Sequence, residues 1–134
     1  MKKYFSLFLF IVPSVLFAQD NSRFAKFSPG QVICSTSGKI HEGELYSSAA
    51  VGDPYVIGVY SPSPLPKRNP VVTEGVVEVL IDESAGAVKK GDILTSGPNG
   101  KAVKMNGTGL ALGIATADAS GGKVPIRICI TIIK

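Results

Sequence analysis

From Glu74 to Thr116 the chain is a series of short β-type segments cut by glycine turns, and this pattern limits the fold more than any other feature. Gly75-Val76-Val77-Glu78-Val79-Leu80-Ile81 opens it. Val88-Lys89-Lys90-Gly91-Asp92-Ile93-Leu94-Thr95-Ser96 follows, then Lys101 to Lys104, then Leu110 to Thr116. No apolar set recurs at helical spacing, and the β-branched content suits strands.

The segments on either side extend the pattern. Gln31 to Cys34 reads as a first strand, and Glu44 to Tyr46 as a weak second. Tyr55 to Tyr60 is rich in β-branched and aromatic residues, with Gly58 marking a bulge or a close backbone approach. Val71 to Ile81 reads as one long strand, with Val77, Val79 and Ile81 on one face and Val76, Glu78 and Leu80 on the other. Apolar residues on both faces suit a central strand or a barrel corner. Pro98-Asn99-Gly100 is a turn, and Asn106-Gly107 is a hairpin signal. Val124 to Ile133 alternates, with Ile126, Ile128, Ile130 and Ile132 on one side.

The expected fold is therefore all-β: a small barrel or sandwich with no major helix in residues 30-134. An internal echo suggests two related β units. Val56 to Ser61 resembles Ala111 to Thr116, Gly75 to Val79 resembles Gly122 to Ile126, and Val51-Gly52-Asp53 resembles Lys90-Gly91-Asp92.

The head has a different character. Met1-Lys2-Lys3 is basic, Tyr4 to Phe17 is nearly all apolar, and Ala18 offers a small residue for cleavage. This is the pattern of a secretory signal peptide over residues 1-18, too short for a spanning helix. Residues 19-29 form a polar, flexible lead-in with Phe24 and Phe27 isolated. The expected location is secreted, periplasmic or at the cell envelope. Loss of Lys2 and Lys3 lowers the formal charge from +4 to +2. No basic stripe with interleaved aromatics remains, which excludes nucleic-acid binding. Export permits a disulfide between Cys34 and Cys129. Such a bridge would contribute roughly 4–5 kcal/mol in the chain-entropy model. Two buried or free thiols are the alternative.

From about Gly30 to Ile133 the chain resembles small β domains of exported bacterial proteins and of phage tail or fibre proteins. Val56 to Val59, Gly75 to Val79, Val88 to Ser96, Leu112 to Ala115 and Gly122 to Ile126 carry the likeness. It implies a structural or interaction module. Some similar phage domains cleave themselves with acidic residues, but no motif here assigns those positions.

The remaining candidates are sparse. Glu78, Asp82, Glu83 and Asp92 are the carboxylates for a self-cleaving or hydrolytic alternative. On the plainer reading, Glu78 faces solvent and Asp82 and Asp92 stabilise turns. The lone His41 with two cysteines falls short of a zinc ligand set, and the acids are too sparse for calcium. The glycine loops do not open a helix, so no phosphate cradle is expected. No cofactor is assigned. The chain has no Trp, and Tyr46, Tyr55 and Tyr60 suit packing as well as sugar binding. Ser61 to Pro70 carries four prolines and is expected to run extended, either as a stiff crossover or presenting Leu65, Lys67 and Arg68 to a protein partner. The Gln31 to Cys34 strand is a second candidate contact, as an edge that could pair with another copy.

Overall fold

The computed structural model describes residues 23–62 and 69–134. Residues 1–22, with the signal-peptide reading, and residues 63–68, with Leu65, Lys67 and Arg68, lie outside the described residues.

Nine strands form among the described residues, all paired antiparallel within two sheets. They are β1 (Val32–Ser35), β2 (Leu45–Ser47), β3 (Val56–Tyr60), β4 (Val71–Val72), β5 (Val76–Leu80), β6 (Ile93–Ser96), β7 (Ala102–Lys104), β8 (Gly109–Ala115) and β9 (Lys123–Ile133). The first sheet has the order β2-β1-β3-β4, and the second β5-β9-β8-β6-β7. Two short 3-10 turns, Glu83–Ala85 and Pro98–Gly100, are the only helical pieces among the described residues.

The sheets lie face to face as a sandwich. Val32, Cys34, Val56 and Val59 of the first meet Val77, Val79, Leu94, Leu112, Val124 and Ile126 of the second. Leu94, Leu112 and Ile126 are fully buried, and each contributes about 1.5–3 kcal/mol through that burial. The first sheet is covered on its other face too. Phe27, Ile33, Leu45, Ile57 and Val71 form a second cluster, with Phe24, Ile40 and Tyr60 against it. The two phenylalanines, isolated on the sequence, stack on or tilt against Tyr60.

The expected strand Val71 to Ile81 is two strands. The chain breaks at Thr73–Gly75, where Gly75 takes φ 84. β4 pairs with β3 in the first sheet, and β5 crosses to pair with β9 in the second. The facing read from the sequence holds, since Val77, Val79 and Ile81 are buried. β5 is the corner of the sandwich: the Leu80 amide donates to the Gly30 carbonyl (2.9 Å), tying one sheet to the other. Ile81 forms a single parallel bridge with Ala102 of β7. The second sheet thus curls until its two ends touch at one point without closing as a barrel.

Three other expectations change. β1 is flanked by β2 and β3, so the Gln31 to Cys34 strand presents no open edge. Asn106-Gly107 does not make a two-strand hairpin, because β7 and β8 both pair with β6, on opposite sides. The tight hairpin is instead at Pro98–Gly100, where Asn99 takes φ 59. Val51-Gly52-Asp53 precedes β3 whereas Lys90-Gly91-Asp92 precedes β6, so that part of the echo has no counterpart in topology.

The likeness of β3 to β8 does have one, although β4 rather than β5 stands where β9 does. β2-β1-β3-β4 and β7-β6-β8-β9 are the same arrangement. Ile33 faces Gly58 as Leu94 faces Gly113, and Ser35 faces Leu45 as Ser96 faces Ala102. Gly75 and Gly122, at φ 84 and 76, lead into β5 and β9, which pair with each other.

Candidate functional site

The candidate residues are held apart by local structure. Glu78 is exposed on β5, 3.9 Å from the Lys123 ammonium. Asp82 caps the first 3-10 turn by accepting from the Ser84 amide at 2.9 Å. That bond, first among the causes, holds its carboxyl below the usual range. Asp92 accepts from the Lys89 amide at 2.8 Å and lies 3.7 Å from the Lys104 ammonium. No two of these acids share a partner. His41 is exposed in the loop after β1. Among the described residues, no group of three or more His, Cys, Asp or Glu gathers as a metal site would require.

Cys34 and Cys129 are both free. The bridge that the sequence permits does not form. Cys34 points into the core on β1, while Cys129 is exposed on β9 in the other sheet. Burial pushes the Cys34 thiol up to about 12, and the charge of Asp53 adds to the effect. It stays protonated and is no nucleophile.

Cys34 belongs to a polar seam that locks the sheets together. Its cross-strand partner Tyr46 donates to Asp53 Oδ2 at 3.0 Å. Burial, then that bond, raises the Tyr46 phenol above its ordinary range. The Asp53 amide donates to Ser96 Oγ at 2.8 Å, which in turn donates to the Ala50 carbonyl. Ser48 Oγ, buried, donates to the Gly97 carbonyl at 2.7 Å. Every buried polar side-chain atom among the described residues has a partner. This seam is structural.

The surface feature is the outer face of the second sheet. Val76 of β5 sits opposite Arg127 of β9, Arg127 opposite Ile114 of β8, and Ile114 opposite Ile93 of β6. These four residues make one continuous row across four strands, with neighbours about 4.5–5.5 Å apart. Val76 is 53% exposed and Ile114 46%, against near-complete burial for their strand neighbours Val77 and Ala115. Arg127 stands between them, exposed and without an ion pair among the described residues. Two exposed branched apolar side chains thus flank an arginine on this face. The row was not singled out on the sequence. Its trace there was the apolar Val76 on the second face of β5. Ile114 and Arg127 lie on other strands, and only the register brings them beside it.

A cleft lies beside β6, β7 and β8. Val51, Val103, Met105 and Leu110 line this cleft of about 520 Å³ with Asp82 and Lys104 beside them. No helix among the described residues is long and apolar enough to cross a membrane.

A protein-family model described as phage cement protein matches residues 27–130. No curated protein and no solved structure matches the chain.

Proposed function

The chain belongs to the phage cement protein family, and from that premise we propose that it is a structural module that binds a phage capsid and holds its subunits together through the outer face of the second sheet. The observation that supports this most is the extent of the match, which takes in all nine strands almost to the end of β9. The resemblance to phage proteins read from the sequence thus narrows to a cement protein, rather than a tail or fibre one. A binding role fits the chemistry. Glu78, Asp82 and Asp92 each serve a local bond or ion pair, and the Val76–Arg127–Ile114 row offers an exposed surface to a partner. Arg127 suits a carboxylate on that partner. The test is sedimentation of the protein with phage heads assembled without it. Co-sedimentation and a raised temperature of head rupture are expected, and a protein left in the supernatant would overturn the reading.

A second reading rests on the head of the chain. Lys2-Lys3 followed by the apolar Tyr4 to Phe17 and by Ala18 is an export pattern. On it, the same β domain acts at the cell envelope or outside the cell as an interaction module. Cell fractionation with amino-terminal sequencing distinguishes the two. A chain starting at Gln19 in the periplasm or medium favours export, and a chain starting at Met1 within assembled particles discards it.

A further inference from the structure

Sheet edges present unpaired backbone donors and acceptors, and natural edges are kept short, charged, broken by proline or covered. Four of the edges here follow that rule. β2 has three residues, and β4 has two and follows Pro70. The outer side of β5 is taken by Gly30. β7 is three residues long, bounded by Lys101 and ending at Lys104, and bridged to Ile81.

The fifth edge breaks the rule. β9 runs for 11 residues, but β5 covers only Lys123 to Arg127 of it. The last bond on that side runs from the Ile128 amide to the Gly75 carbonyl, where the chain turns away. Beyond it come Cys129-Ile130-Thr131-Ile132-Ile133. Thr131, Ile132 and Ile133 pair with β8 on one side, and no described residue pairs with them on the other. The stretch holds no charge, no proline and no glycine. Its residues are strong strand formers, and Ile132 is 67% exposed.

We propose that this open edge pairs with the same edge of a second copy, antiparallel, about a two-fold axis at Thr131. The segment is its own complement. Thr131 then meets Thr131 of the second copy, Ile130 meets Ile132, and Cys129 meets Ile133. Each exposed Ile132 is covered by the half-buried Ile130 at the margin of the core. Charge selects the direction. An antiparallel ladder holds the two Lys134 ammonium groups at opposite ends, whereas a parallel one would set them side by side. The two five-stranded sheets become one of ten strands, and the free outer faces remain available. The proposal does not depend on the capsid reading.

The test is the mass in solution of the protein as it accumulates in its producing cells, compared with Ile132→Lys. The expected result is a two-copy species that falls to one copy in the variant, with the far-UV circular dichroism unchanged and the unfolding midpoint no longer dependent on protein concentration. A one-copy wild-type protein, an odd-numbered assembly, or a folded variant that still pairs would overturn it. Should Ile132→Lys fail to fold, Thr131→Cys in a Cys129→Ser background keeps the question open to decision. Oxidation should link two copies through residue 131, and a two-copy species that never links there would refute the register.

Discussion

Gly58 and Gly113 hold the same position in the two sheets. Each lies in an inner strand, β3 or β8, opposite Ile33 and Leu94 respectively. At each, the space a Cβ would need is already filled by a backbone carbonyl of the next strand, Val72 at Gly58 and Arg127 at Gly113. Neither has a positive φ. What requires glycine at both places is the close approach of a neighbouring backbone, not an unusual turn.

Alanine at either position should therefore force the neighbouring strand away. A loss of about 3 kcal/mol is expected for Gly58→Ala and for Gly113→Ala, the upper end of overpacking costs. Chemical denaturation measures it. Gly107→Ala is the control, because nothing lies within 4 Å of a Cβ there, although its φ of 89 carries a backbone cost. A smaller loss at Gly58 or Gly113 than at Gly107 would contradict the packing account.

The thiols should titrate as one fast and one silent. Cys129 is exposed, whereas Cys34 is fully buried with its thiol pushed up to about 12. A colorimetric thiol reagent at neutral pH should find one group in the folded chain and two after unfolding. Two in the folded chain would mean that β1 opens readily, and none in the unfolded, unreduced chain would mean a bridge.

Tyr46→Phe should cost about 1 kcal/mol, the net worth of one hydrogen bond. It removes the donor to Asp53 and leaves that carboxylate with the Tyr55 amide as its other partner. Thermal unfolding checks the figure, and an unchanged midpoint would show that the seam adds nothing to stability.

The cap at Asp82 makes a pH-dependent contribution. Its carboxyl is held low in the fold by the Ser84 amide, so its stabilisation is present above the ordinary aspartate range near 4 and is lost as pH falls through the lowered folded value. The gap in unfolding midpoint between wild type and Asp82→Ala should be widest near neutrality and narrow in acid. A gap that is constant with pH would remove the ionic part of the argument.

Much of the strand pattern was legible because its signals are local. Alternation in Val76 to Ile81 and Val124 to Ile128 reports a buried face directly. Gly58 read as a bulge or a close approach because glycine inside a strand has few other uses, whereas the same close approach at Gly113 was not read from the sequence. The break at Thr73–Gly75 was not legible. Val-Val-Thr-Glu-Gly-Val-Val reads as continuous strand, and only the pairing of β5 with β9 draws it into another sheet. The Asn106-Gly107 turn misled for a related reason: turn chemistry fixes a reversal but not which strands pair across it. Phe24 and Phe27 showed no periodicity, and their burial depends on the first sheet turning its outer face to them. The Val76–Arg127–Ile114 row is a property of register alone, which no single strand contains.

The claim that the outer face of the second sheet is the capsid contact is tested most directly by one comparison. Wild-type protein and the double variant Ile114→Lys with Arg127→Glu are each mixed with phage heads assembled without this protein, and the bound fraction is measured after sedimentation. Both side chains are exposed, so the variant should keep its fold and unfolding midpoint. The account predicts that wild type sediments with the heads and the folded variant stays in solution. A folded variant that sediments as fully as wild type would place the contact elsewhere.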